Sequence, residues 1–399
     1  MKPDPQRLII LTGAYDDHHL RTRSDKPALC TSSGKRLMLY RAISEAAGQA
    51  PLLLSPQPRG TTNCISLPAV ESQFGEFQQL FAPASGTRKV RYLVDIIRYI
   101  EHVHRNSRNG DTLIFDNYEL IYILAIYYCR LRGRSNRILL EYEDGKHVID
   151  RGYPKLISGL AEKIGRRLVQ AAILATPSLG ERLPPEIPKV LIPGILRTDW
   201  RFKPAPASGQ PVSFLYSGSL DVERGVPLLL DYLASNCVSA DTVYHITGRG
   251  HYRELFLNLM ELHPGKIHFH GSVSEEALAQ IRSSCHFGLN LQSSTSPISQ
   301  VTYPSKTFDY LNAGIRVIST KAAGVEDILG SAAIYLNFET VEGLADAVAR
   351  ACESIRSEQA MDMGKALNDY SFQGTVLRLK SILERAPVST TVARILCSE

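Results

Sequence analysis

Short apolar runs alternate along the whole chain with stretches whose apolar positions recur every three or four residues. LIILT (8–12), PLLLS (51–55), TLIFD (112–116), RILLEY (137–142), AAILAT (171–176) and KVLIPG (189–194) read as buried strands. Between them, KRLMLYRAISEAAG (35–48) places Leu37, Leu39, Tyr40 and Ile43 at helical spacing and stops at a glycine. Helices are likewise expected at 90–105, 118–132 and 153–170. A strand–helix alternation of this kind builds a parallel sheet covered on both faces.

The alternation then restarts. RFKPAPASGQP (201–211) reads as an interdomain linker, because its Pro and Gly break regular structure. Beyond it come strands at 212–218, 242–248, 266–271, 286–292, 316–320 and 332–337. Helices are expected near 224–235, 251–262, 305–313, 340–354, 357–369 and 373–385, with another opening at Ser274. The expected fold class is α/β, with two Rossmann-like doubly wound domains facing a central cleft. Residues 1–200 form the first domain, 201–372 the second, and 373–399 a final helix and tail. Ligands of such sheets bind beyond the C-terminal ends of the strands, so the loops there are the places to look for chemistry.

Composition narrows the classes. The 399 residues are 44% hydrophobic and 21% charged, which suits a chain with real cores and excludes disorder as its main state. The net charge of +5 suits anionic ligands without requiring nucleic acid, and no nucleic-acid-binding signature is present. The basic cluster RLRGRSNR (130–137) reads as a solvated helix end. Seven cysteines with no CxxC pair argue against a disulfide framework or zinc site and suit a reducing cytoplasm, with Cys129 and Cys285 as core residues. LIILT is too short for a signal-peptide core. The longest apolar run, LIYILAIYYC (120–129), is too short to span a bilayer.

Four loops of the second half stand out: YSGSLDVERGV (216–226), ITGRG (246–250), FHGSV (269–273) and YPSKTFDYLNAG (303–314). In the last, Lys306 lies in the first turn of a helix, where the helix dipole disfavours a cation. A diphosphate would reconcile the two. Free N–H groups at the helix start, Lys306, and Arg224 on a neighbouring loop together make an anion site. Asp309, one turn deeper, has the reach to accept hydrogen bonds from a ribose diol.

These loops, in this order and spacing, resemble the donor domain of GT-B glycosyltransferases, most like glycosyltransferase family 4, over roughly 212–350. The resemblance implies transfer of a sugar from a nucleotide diphospho-sugar, UDP- or GDP-linked, to a glycan or lipid-linked acceptor hydroxyl. It further implies retention of configuration, no metal and no cofactor beyond the co-substrate, in polysaccharide or glycoconjugate synthesis. Lys306 and Arg224 would stabilise the leaving diphosphate. Gly34, in a glycine loop TSSGKRL (31–37), would face it, as would Gly218, Ser219, Ser305 and Thr307. Gly248 and Val273 would lie by the base, Asp309 by the ribose, and Gln300 and Tyr303 by the sugar hydroxyls. The chain departs from the family pattern at Val301, which stands where an acid is usual, and at Ser219, which stands where an arginine is common. The final helix would cross back to the first domain.

On the acceptor side are Glu143 and Asp144 in LLEYEDGKHVI (139–149), with His147 close behind: either one of them binds an acceptor hydroxyl or shares its proton, or the stretch is a solvated acidic loop. EYED imitates a metal-binding D-x-D, and YDDHH (15–19) a metal cluster, but neither is expected to hold a metal. A catalytically inactive scaffold that binds nucleotide or protein, and a nucleotide-sugar epimerase, are the alternatives. The stretch YPKLISGLAEKIGRRLVQ (153–170) carries basic residues and an apolar stripe, which either packs against the first sheet or lies on the inner face of a membrane as a peripheral contact.

Overall fold

The computed structural model describes residues 6–15, 33–58, 66–85, 91–197, 199, 201–357, 359 and 361–385. Asp16, Asp17, His18 and His19 of YDDHH lie outside them, as do Thr31, Ser32, Cys30, Cys64 and Cys397. The chain divides into two compact units, 1–192 with 375–399, and 193–374. Each is described by itself.

In the first unit the elements run β1 (Leu8–Leu11), α1 (Ser33–Ala47), β2 (Leu52–Ser55), β3 (Val70–Phe74), β4 (Phe77–Phe81), α2 (Arg91–Asn106), β5 (Thr112–Asp116) and α3 (Leu120–Leu131). They continue with β6 (Arg137–Tyr142), α4 (Lys146–Ile149), α5 (Tyr153–Gly165), β7 (Ala171–Leu174), α6 (Pro177–Gly180) and β8 (Lys189–Leu191). The eight strands order as β3-β4-β2-β1-β5-β6-β7-β8. All neighbours are parallel except β3 and β4, which pair antiparallel with Phe74 opposite Phe77. The parallel strands are apolar on both faces because helices cover both, and β1 and β5 are buried at every position. The hairpin was not read from the sequence. Its strands, VESQF and FQQLF, carry consecutive polar residues, a weaker signal than a wholly apolar run.

The second unit runs β9 (Val212–Ser217), α7 (Val226–Ala234), β10 (Thr242–Thr247), α8 (Arg253–Leu262), β11 (Ile267–Gly271), α9 (Glu275–Ser284), β12 (Phe287–Asn290) and α10 (Lys306–Asn312). Then come β13 (Arg316–Ser319), α11 (Val325–Leu329), β14 (Ala333–Tyr335), α12 (Val341–Arg356), α13 (Gly364–Tyr370) and only the first residues of α14 (Phe372–Arg385). Its six strands order as β11-β10-β9-β12-β13-β14, all parallel. Phe214 stacks between Tyr244 and Phe287 at 5.2 and 5.4 Å, so the core centres on the middle of the sheet. Ser274 caps α9 as expected, accepting from the Ala277 N–H.

The unit boundaries fall after Ile192 and Gly374 rather than after residues 200 and 372. The supposed linker is part of the second unit. Lys203 N–H donates to Gly314 O at 3.0 Å, its amine donates to Cys285 O, and Arg316 donates to Lys203 O. Asn312 likewise ties down Ile195 and Arg197. Proline and glycine here mark an irregular strap hydrogen-bonded to its own unit, not a free joint. From Thr375 onward α14 returns to the first unit. There Arg378 donates to Leu191 O and Arg137 to Leu383 O. The 130–137 cluster is therefore not merely solvated: Arg130 donates to Leu168 O and Arg134 to Ser107 Oγ as well.

Candidate functional site

In the second unit the loops that follow β9, β10 and β11 interlock through their backbones. Gly218 N–H donates to Thr247 O, Gly248 N–H to Gly271 O, and Leu220 N–H to Arg249 O. Gly248 has φ +144°, and a Cβ there would lie 1.8 Å from Gly218 O, so only glycine lets the two loops touch. After the first loop, Val222–Arg224 makes a single 3-10 turn, and Gly225 (φ +74°) then starts α7. A Cβ on Gly225 would sit 1.7 Å from Leu291 O, at the end of β12. That close approach brings Arg224 beside the end of a second strand, where its guanidinium donates to Gln292 Oε1. Gln292 is fully buried and is itself held to Thr302 O.

Lys306 opens α10 beneath this arrangement. Its stem is partly exposed, but Nζ is sealed from solvent and, among the described residues, has no hydrogen-bond partner. Nζ lies 4.2 Å from the centre of the Tyr216 ring and 3.3 Å from where a Cβ on Gly218 would be. The cation–π contact stabilises it by only about 0.5–2 kcal/mol. Burial, and then the charge of Arg224, lower the ammonium to a pKa of about 7. A lysine held this way is short of an anion.

The helix start itself contributes less than expected. Ser305 N–H donates to Tyr303 O at 2.9 Å, Thr307 N–H to Pro304 O, and Phe308 N–H to Ser305 O. These groups are not free, because the chain enters α10 through tight turns that satisfy them. Ser305 holds the cap position without a side-chain cap bond.

Other expected donor residues divide into two sets. Gly218, Ser219, Gly248 and Val273 lie on the interlocked loops, with the Ser219 hydroxyl donating to Asp221. Asp309 is exposed on α10, and Gln300 is exposed at the end of a 3-10 turn. Tyr303 and Thr307 are core residues instead. Tyr303 is 3% exposed, packs edge-on against Phe308, and accepts at its hydroxyl from Thr307, whose side chain is fully buried. They shape the turn rather than face a ligand. Val301 is buried as well. Tyr216 and Gln292 were missed from sequence. Both end apolar strand runs, and only a polar residue at a strand's C-terminal end hinted at them.

In the first unit, Gly34 falls inside the first turn of α1, with nothing within 4 Å of a Cβ placed there. Three carboxylates, Asp116, Glu141 and Glu143, converge at the C-terminal ends of β5 and β6, with ligand oxygens within 4.8 Å of one another. The EYED spacing is thus real geometry, but two of the three carboxylates already hold cations. Glu143 pairs with Lys35 and Arg36, and Asp116 with Arg36. Against the cost of burial, those two cations lower Glu143 to about 2, so its carboxylate stays ionised and engaged rather than free to accept a proton. Glu141 is 4% exposed, and its Oε2 has no partner among the described residues. Burial, and then Asp116, push it up to about 8. Asp144 N–H, like Glu143 N–H, donates to Asn117 Oδ1, which fixes this loop. His147 is taken by Glu162 and Arg182 and is not a free acceptor-side group.

Residues 211–354 match the family model described as Glycosyl transferases group 1. That span holds β9 through most of α12, and with it every loop described in the second unit. Among solved structures, HepE of Anabaena in complex with UDP and glucose is similar over 95% of this chain and 100% of its own, at 10% identity and a TM-score of 0.66. Sucrose-phosphate synthase from Thermosynechococcus elongatus matches over 95% and 98%, at 13% identity and a TM-score of 0.65. The lipopolysaccharide outer core galactosyltransferase WaaB matches over 95% and 99%, at 12% identity and a TM-score of 0.61. At these identities the likeness establishes the fold, which is the GT-B pair of Rossmann-like α/β domains. No curated protein sequence matches the chain. No helix among the described residues is long and apolar enough to cross a membrane.

Proposed function

We propose that the chain transfers a sugar from a nucleotide diphospho-sugar to an acceptor hydroxyl. The observation that carries this reading is the sealed ammonium of Lys306, without a hydrogen-bond partner among the described residues, under the Gly218 loop and beside Arg224. A cation with no hydrogen-bond partner is costly. The diphosphate of a donor supplies the missing acceptors once the partly exposed lysine stem swings out from beneath Gly218. The same charges then act on the reaction. As the glycosidic bond breaks, negative charge grows on the departing diphosphate, and fixed cations stabilise it more than they stabilise the bound donor.

The match of residues 211–354 to glycosyl transferases, and the UDP and glucose bound by the similar HepE, support a nucleotide-sugar donor. Within this reading the donor is UDP- or GDP-linked and the acceptor is a glycan or a lipid-linked glycan. The sugar keeps its configuration, and the lysine and arginine do the work that a metal does elsewhere. Asp309 is the candidate ribose ligand. Glu143 and Asp144 remain the acceptor-side carboxylates of this reading, with Glu143 held ionised by Lys35 and Arg36.

The test is release of nucleoside diphosphate from a panel of UDP- and GDP-sugars, with and without acceptor glycans. Lys306→Ala should lower turnover by about 100-fold or more. Near-wild-type turnover in that variant would sink the assignment. Nucleotide binding without turnover on any acceptor would instead favour the inactive scaffold, for which the buried Val301 is the supporting observation.

A further inference from the structure

We propose that α5 docks the first unit on an anionic lipid surface. The sequence left open whether the apolar stripe of this helix packs on the sheet. Part of it does, through Ala161 and Gly165 with Leu168 buried just beyond the helix, but Tyr153, Leu156 and Leu160 do not: they are 73%, 71% and 53% exposed. They recur at helical spacing and form one outward line about 10 Å long. The sheet-facing side is a different set of residues. Ala161, Glu162 and Gly165 are buried, and a Cβ on Gly165 would meet the Tyr118 ring at 2.4 Å. Glu162 accepts from Tyr142 and is further held by Arg166 and Arg182. The helix therefore cannot roll to bury its stripe without breaking that anchor.

The chemistry around the stripe selects the occupant. Lys163 and Arg167 continue the same line, and Arg151 and Lys155 flank it, all exposed. Between 149 and 167 there are five basic residues and two acidic ones, and one of the acids, Glu162, is buried and paired. Three apolar side chains offer little area to a protein partner. A tyrosine and two leucines ringed by cations suit the boundary between anionic headgroups and acyl chains, where the aromatic ring sits at headgroup level and the charges meet phosphate. Ile149, 39% exposed on α4, widens the patch. The inference stands whether or not the chain transfers a sugar.

The test is co-sedimentation of the full chain with vesicles of phosphatidylcholine, alone or mixed with phosphatidylglycerol, at low and high salt. The expected result is binding to the anionic vesicles only, weakened by salt. The pair Leu156→Glu with Leu160→Glu, and separately Lys155→Glu with Lys163→Glu, should each lower the apparent partition coefficient by about tenfold. All four positions are exposed, so melting should not move, and melting measured alongside checks this. Failure to bind, equal binding to both vesicles, or unchanged binding in both double variants overturns the proposal. So does a dimer in solution that Leu156→Glu with Leu160→Glu dissociates, which would make a second copy the occupant.

Discussion

The ammonium of Lys306 sits 4.2 Å from the centre of the Tyr216 ring, with no hydrogen-bond acceptor near it among the described residues. An amine whose folded pKa is lowered, here to about 7, binds fewer protons in the folded than in the unfolded chain between that value and its ordinary 10.5. Its ionised form therefore destabilises the fold, fully below pH 7, and the penalty fades as pH rises towards 10.5. Lys306→Met keeps the length and removes the charge. It should raise the melting temperature at pH 6–7 while lowering turnover by about 100-fold, as at sites that give up stability for function. A variant that is both less stable and fully active would contradict this account.

The same amine links donor binding to protons. At pH 8 most free protein carries it neutral, and a diphosphate favours the charged form, so binding of nucleoside diphosphate should take up about one proton. Calorimetry of UDP or GDP binding at pH 8, in buffers of different ionisation enthalpy, reads that number directly. It should vanish in Lys306→Met and diminish below pH 6. Proton uptake that survives in the variant would assign it to another group.

Gly225 is expected to tolerate no side chain. Alanine there would carry φ +74° and place Cβ 1.7 Å from Leu291 O. Gly209 has φ +80° but open space around it, and so isolates the backbone cost alone, about 1–2 kcal/mol. Denaturant midpoints should show Gly225→Ala losing clearly more stability than Gly209→Ala. Only the former should weaken nucleotide binding, because it displaces Arg224.

Glu141 should make the first unit lose stability as pH rises from acid to about 8. Its folded pKa, about 8, lies above the ordinary 4.5, so its contribution is fully present below pH 4.5 and is lost as pH rises towards 8. Asp116, raised to about 6 by burial, acts in the same direction over a narrower window, whereas Glu143, lowered to about 2, acts in the opposite one at acid pH. Glu141→Gln keeps the shape without the charge. Relative to wild type it should gain melting temperature progressively between pH 5 and 8. A constant difference across that range would show that the carboxyl does not titrate there.

Most of the fold was legible because buried parallel strands leave an unmistakable trace. Runs such as TLIFD and RILLEY must be apolar at successive positions when helices cover both faces, and β5 and β6 fall where those runs do. The loops after β9 and β10 were legible for a related reason: their glycines stand where one backbone crosses another. What misled was local polarity. RFKPAPASGQP reads as a joint, yet long-range hydrogen bonds from Lys203 and Arg316 hold it in the second unit. Glu143 and His147 read as available side chains, yet Lys35, Arg36, Glu162 and Arg182 claim them.

By itself, then, the sequence determined the order of most strands and helices, the glycine-bearing loops at their ends, and the presence of a lysine in a turn that disfavours it. Each of these is a local matter, set by periodicity, by allowed φ and ψ, and by the dipole of one helix. Only the tertiary structure decided which polar groups have partners. It paired Glu143, buried Tyr303 and Thr307, closed the N–H groups of Ser305, Thr307 and Phe308, and left the Lys306 amine and the Glu141 carboxyl oxygen without partners among the described residues and the α5 line exposed. Hydrogen bonds and ion pairs depend on distances between residues far apart in the chain, and those distances exist only once the chain has folded.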